Sequence, residues 1–364
     1  MKARFVLALF PLAAFALVHC GTTEEAASPP AAPAPVADAR PADDASAVDA
    51  SDAATATTTD AATPSLAHMA KARSLFAAVS GKDGRVRTFG GLNLVGLDTT
   101  TEAYDPVANT WTAGAGTATA GRYGNAATQD ATGLVYVVGG TSDGKTPIAT
   151  VETYSPADDA WKPLADLPTA RLGLGAATGK DGKIYAIGGR DATQAPTDIV
   201  EVYSPATQTW SKAPSLSTKR LALVAVTGAD GKIYAIGGRD AANAPLTVVE
   251  AFDTDTGVWT TVQPLLTGRY WFGATLGADG RIYALGGLGD LGFLDDVEAF
   301  TPAAGWTASK AMPEARGWLS AATSADGRIF AIGGSTPSED MPATQPPPMR
   351  TMLGFDPKTS AWTK

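Results

Sequence analysis

The chain has 364 residues, 45% of them apolar, with 39 Gly and 25 Pro, enough for one large or two smaller domains of turn-rich character. A net charge of −9 argues against an electrostatic partnership with nucleic acid or an anionic membrane. Cys20 is the only cysteine, so no internal disulfide forms and stability must come from packing.

Residues 1–20 read as an export signal. Lys2 and Arg4 form a short basic start, and Phe5 to Val18 is an apolar run too short to span a membrane comfortably. The stretch ends Leu17-Val18-His19-Cys20, which resembles the lipobox of bacterial lipoproteins, where the cysteine becomes the lipidated first residue. His19 departs from the small residue usual there, which leaves an ordinary cleavable signal or an uncleaved anchor as alternatives. The resemblance implies lipidation at Cys20 and a location in the bacterial envelope.

Residues 21–64 are Ala, Pro, Thr and Asp with almost no large apolar side chain. Such a segment buries too little area to offset its ordering entropy and is expected to stay disordered. Its eight acidic residues face Arg40 alone, so it extends by self-repulsion. As a coil it reaches roughly 35–40 Å, which suits a tether.

From Ser65 to Lys364 the chain repeats itself at a period near 49 residues. Arg73, Arg122, Arg171, Arg220, Arg269 and Arg316 each stand 17 residues before a Gly-Gly pair. A glycine eleven positions after each Arg, usually preceded by Asp, predicts a two-residue hairpin turn. Apolar runs such as Ile184–Ile187 and Ile199–Tyr203, with turn chemistry between, predict four short antiparallel strands per repeat. An aromatic on the third strand (Tyr104, Tyr154, Tyr203, Phe252, Phe300, Phe355) and then a Trp (Trp111, Trp161, Trp210, Trp259, Trp306, Trp362) complete it.

This pattern resembles the kelch repeat, and the resemblance covers about Ser65 to Lys364. It implies an all-β fold, a six-bladed kelch-type β-propeller following the linker. Two terminal departures bear on ring closure: Arg87 stands where other blades have Tyr or Phe, and Leu353 where they have Glu.

Strand order places the two-to-three loops and the blade-to-blade loops on one variable face. In kelch proteins that face commonly holds the partner or substrate, as the resemblance implies. Residues repeated in every blade read as architecture. The six Arg and Glu102, Glu152, Glu201, Glu250 and Glu298 are therefore expected to form a repeated charge-assisted hydrogen bond. Residues that break the pattern are candidates for binding: Tyr123, Tyr270, Trp271 and Trp318 near the mouth, with Arg190, Asp191, Arg239 and Asp240 on neighbouring loops. A recognition surface and plain plugging of the channel both fit these residues. The loop 335–351, with Pro346-Pro347-Pro348, reads as a stiff flap.

Catalytic constellations are mostly missing. His19 lies in the expected signal and His68 at the N-terminal fringe ahead of Arg73, so no His or Cys within the blades is available for a metal site, for a nucleophile and base, or for the chemistry of the copper radical oxidases, which share the fold. No cofactor is expected. The favoured reading is a binding scaffold for a glycan or protein partner, meeting the membrane through its anchor only. The alternative is a metal-independent carbohydrate-active propeller resembling sialic-acid epimerases.

Overall fold

The computed structural model describes residues 65–117, 120–337 and 346–364. The expected signal with Cys20, the linker 21–64 and the centre of the loop 335–351 lie outside them.

Among the described residues, six four-stranded antiparallel sheets follow one another, each built from one contiguous stretch in simple meander order. The third is typical, with strands Gly175–Thr178, Ile184–Ile187, Val200–Ser204 and Thr209–Ala213. The Asp-Gly turns differ from expectation. In the third blade Gly179 N–H donates to Lys183 O (2.9 Å) and Gly182 N–H to Gly179 O (2.9 Å), a β-turn followed by a bulge residue. Gly182 sits at φ 76°, the left-handed region that this three-residue connection needs and a side chain resists.

The hydrophobic core lies between blades rather than within them. Ala177, Tyr185, Ile187 and Val202 of one blade pack with Leu223, Ala225, Ile233 and Phe252 of the next. Neither blade could bury these faces alone. Aromatic pairs mark the seams: Tyr185–Phe252 at 5.5 Å, Tyr234–Phe300 at 5.1 Å, Tyr283–Phe355 at 6.0 Å and Tyr104–Phe330 at 5.3 Å. The last joins blade one to blade six.

Blade one shows how a departure is absorbed. Arg87 sits where four blades have a Tyr whose hydroxyl donates to the turn Asp, as Tyr185 does to Asp181 (3.0 Å). Its guanidinium makes the equivalent contact to Asp83 as a fork, at 2.8 and 2.5 Å. The aromatic role moves two residues along the strand to Phe89, which packs on Tyr154 (5.6 Å).

The six blade arginines are fully buried. Each donates to the carbonyl of the first glycine in its own Gly-Gly pair, for example Arg171 to Gly188 O at 2.8 Å. Each also reaches the backbone that enters the third strand, as Arg220 does at Val248 O (2.8 Å). In five blades a buried third-strand Glu completes the site: Arg73–Glu102, Arg122–Glu152, Arg171–Glu201, Arg220–Glu250 and Arg269–Glu298. The carboxylate in turn accepts linker amides, as Glu250 does from Ser217 N–H (2.8 Å). Burial lowers the pKa of Arg220 to about 10, which leaves it charged at neutral pH. Blade six, with Leu353 on its third strand, uses Glu314 from its linker, and that side chain is 32% exposed.

The ring closes by hydrogen bonds at both ends of the chain. Leu66 N–H donates to Lys364 O (2.9 Å), and Met69 N–H to Arg350 O (3.0 Å). The segment before blade one thus serves as its missing linker, and Trp111 Nε1 donates to Ala67 O (3.0 Å) as Trp210 does to Ala165 O (2.9 Å). Trp111, Trp161, Trp210, Trp259 and Trp362 are half-buried and pinned by such bonds, whereas Trp306 is buried.

Glu250→Ala should cost about 3–5 kcal/mol in denaturant unfolding, because it strands a buried guanidinium, while Glu314→Ala should cost clearly less, because that carboxylate is already part-exposed and Thr351 still holds the Arg316 guanidinium. Acid should also destabilise the fold. Asp130, Asp279 and Asp326 lie below the ordinary carboxylate value of 3.8 although burial opposes this, because hydrogen bonds outweigh it. A lowered folded-state value contributes stability above the unfolded value and loses it as pH falls through the folded one. Melting temperature should therefore hold above about pH 4 and drop below it.

Candidate functional site

The variable face is organised by a closed ring of backbone hydrogen bonds around the axis. Gly124 N–H donates to Leu75 O, Gly173 to Gly124, Ala222 to Gly173, Trp271 to Ala222, Trp318 to Trp271, and Leu75 to Trp318, at 2.6–3.0 Å. All six residues have positive φ, including Trp271 (48°) and Trp318 (55°). Glycine suits that geometry and a bulky residue does not, at roughly 1 kcal/mol or more per position. Two of the eight tryptophans thus occupy positions that favour the smallest residue.

Beneath the ring runs an axial channel of about 420 Å³, walled by the first strands of all six blades. Trp271 reaches across its mouth. A Cβ on Gly173 would lie 3.0 Å from Trp271 Cη2, and one on Gly124 3.5 Å away, so the glycines of blades two and three make room for the indole of blade five. Trp318 is half-buried and stands edge-on to Phe293 at 5.4 Å. Tyr123 and Tyr270 are buried, forming wall rather than open stacking surface. Burial raises both phenol pKa values.

Arg190 and Arg239 follow the Gly-Gly pairs of blades three and four and pair with the strand entrances at Leu172 and Leu221. Arg190 Nη2 donates to Gly144 O (3.0 Å), Arg239 Nη1 to Asn243 Oδ1 (2.5 Å), and the Arg239 guanidinium lies 5.4 Å from the centre of the Tyr270 ring. Neither forms an ion pair with a carboxylate among the described residues. Burial pushes both pKa values down, partly opposed at Arg190 by Tyr123 and the nearby Asp143 carboxylate and at Arg239 by Tyr270, and Arg190 lowers that of Arg239 further by repulsion. Asp191 and Asp240 do not neutralise them. Asp191 Oδ1 accepts Thr193 N–H (2.9 Å), and Asp240 Oδ1 accepts Ala242 N–H (2.8 Å), so each carboxylate closes its own turn.

The eight candidate residues thus share one face but fall into three roles: an aromatic cover at the axis, a buried tyrosine wall, and two guanidiniums without a directly paired carboxylate between turn-capping aspartates. Sequence reasoning missed Phe293 and the space-making Gly124 and Gly173. Their signal was present as the exchange of Gly for Trp at one repeat position. No cluster of His, Cys, Asp and Glu able to hold a metal occurs among the described residues.

Fold and face together define a six-bladed kelch propeller. The family model for the KLHDC2/KLHL20/DRC7 Kelch-repeats domain matches residues 173–364, and that of the Kelch motif residues 132–168. The chain belongs to this kelch-repeat family. Among solved structures it is similar to "Structure of YjhT", with a TM-score of 0.67 at 17% identity, over 82% of this chain and 99% of that one, a likeness of fold. Comparison with curated proteins gives no match.

Trp271→Gly should melt above Trp271→Ala by the equivalent of about 1 kcal/mol, since both lose the indole and only glycine relieves the positive φ. Equal melting temperatures would show that the ring imposes no conformational cost at this position.

Proposed function

We propose that the protein is a binding scaffold: an exported, lipid-tethered kelch propeller of the bacterial envelope whose variable face holds a glycan or protein partner bearing a carboxylate. The observation that carries this is the pair Arg190 and Arg239. Two partly desolvated cations that repel each other, in a chain of net charge −9, form a site that an oxyanion would neutralise. Trp271 and Trp318 add an aromatic surface beside them, which suits a sugar face or an apolar side chain equally.

The chemistry of the site favours binding over reaction. A carbohydrate-active propeller needs an acid and a base converging on one substrate. Here Asp191 and Asp240 are engaged by turn amides, and the phenols of Tyr123 and Tyr270 are buried and hard to ionise.

The test is an array of acidic and neutral glycans together with photo-crosslinking to envelope proteins, followed by titration of the captured partner. Arg190→Ala with Arg239→Ala should weaken binding by roughly 2 kcal/mol or more at a nearly unchanged melting temperature. Full affinity in that double variant would overturn the assignment of the site. Exchange of anomers or epimers of free sugars, followed by NMR, would favour the enzyme reading instead.

A further inference from the structure

Every blade ends on an outer strand that pairs with one neighbour only, so a free edge of backbone N–H and C=O groups runs along the rim of the propeller. Five of these edges carry residues that discourage further pairing. Blade two, with Ala160–Pro163, has Lys162 and Pro163, and blade three, with Thr209–Ala213, has Lys212. Thr110–Gly114 of blade one and Gly305–Ala308 of blade five hold glycine and alanine, which fit strands poorly. Ala361–Thr363 of blade six is short and followed by Lys364. Blade four differs. Its outer strand Val258–Thr261 continues as Val258-Trp259-Thr260-Thr261-Val262, a run of strand formers without charge, glycine or proline. Val258 is 51% exposed, and Leu266 just beyond the run is 60% exposed.

The ladder fixes which backbone groups of this edge are free. Val262 N–H donates inward, to Val249 O on the third strand (3.0 Å). Direction alternates along a strand, so the N–H and C=O of Trp259 and Thr261 turn outward and those of Thr260 inward. A second copy laid antiparallel about a twofold axis at Thr260 sets each Trp259 opposite a Thr261, and both pairs exchange hydrogen bonds at once. The same register brings Thr260 against Thr260 and Val258 against Val262. These are β-branched pairs at the positions without hydrogen bonds, where side chains approach most closely. No charge meets its own copy, whereas the same operation on blade two would oppose Lys162 to Lys162.

We propose that the outer strand of blade four is a self-pairing edge, through which a second copy of this chain adds its own blade four to make one continuous antiparallel sheet. The occupant is a second copy because only a strand of this same composition matches every exposed position of the run in that register. The contact is small. It buries far less than the roughly 1,000 Å² of a stable interface, so the association is weak and reversible. It carries no ion pair across the axis and should tolerate salt. It goes beyond the partner site, whose Arg190 and Arg239 stand in loops of the variable face and take no part in the rim.

The test uses the full chain with Cys20→Ser and compares Thr260 with Thr112, which is exposed at the same repeat position on the outer strand of blade one. Under mild oxidation Thr260→Cys should form a disulfide-linked dimer, because the twofold axis sets the two thiols face to face, and Thr112→Cys should stay monomeric. In sedimentation at protein concentrations up to about 1 mM, where weak contacts become populated, the average mass of the parent should rise with concentration. Thr260→Lys should abolish that rise by opposing two charges, and Thr112→Lys should leave it unchanged. Both positions are exposed, so all variants should melt with the parent. If Thr260→Lys melts early, the cysteine comparison decides alone. Equal crosslinking at 260 and 112, a mass independent of concentration, or a rise that survives Thr260→Lys in the folded protein each overturns the proposal. Arg190 and Arg239 remain intact throughout, so failure here leaves the partner site standing.

Discussion

A buried guanidinium in each blade is the interaction on which the rest depends. Kelch strands are short, and the second and third strands of a blade are joined by loops that vary in sequence. The arginine crosses that gap by donating to the carbonyl that leaves strand two and to the one that enters strand three, as Arg171 does with Gly188 and Ile199 at 2.8 Å each. Loop composition is thereby released from any duty to hold the blade together. A buried cation demands a partner, and the third-strand Glu supplies one while tying down linker amides. The loops could then diverge into polar turns on three blades and aliphatic hairpins on two.

The blades are joined by a second set of constraints arranged as belts around the axis. At the variable face a cycle of backbone hydrogen bonds passes through six residues of positive φ. At the turn face hydroxyls do similar work: Thr178 Oγ1 donates to Gln129 O (2.9 Å), Thr227 Oγ1 to Thr178 O (2.6 Å) and Thr323 Oγ1 to Leu276 O (2.8 Å). Between these belts the inter-blade aromatic pairs fill the seams. A ring held at both ends and packed between is a stable platform for the uneven face above it, and rigid platforms are where binding loops are best placed.

Function on such a platform comes from departures from the repeat. Trp271 and Trp318 replace small or aliphatic residues where backbone geometry favours glycine, and Arg190 and Arg239 are cations without the carboxylate given to every blade arginine. Both features carry an energetic cost that the repeat itself does not require, since the blades that lack them keep the same fold. That asymmetry is what supports reading them as a site.

The repeat, its phase, the six blades and the Arg–Glu pairing were legible in the sequence, because each rests on a spacing that recurs and on chemistry that tolerates few substitutes. Gly182 at its turn and Glu250 opposite Arg220 are examples. Pattern-breaking residues were legible as well, but not what they do. Tyr123 and Tyr270 differ from Trp271 and Trp318 by one position in the repeat, yet tertiary packing buries the first pair in the wall and leaves the second partly open over the channel. Asp191 and Asp240 resemble ligand-binding carboxylates in the sequence and are turn caps in the fold. The closure of the ring through Leu66 and Lys364, the shift of the aromatic from Arg87's position to Phe89, and the lean of Trp271 over Gly124 and Gly173 depend on contacts between residues tens to hundreds of positions apart. Periodicity reports what each blade must repeat. Only the closed ring decides which side chains meet across its axis.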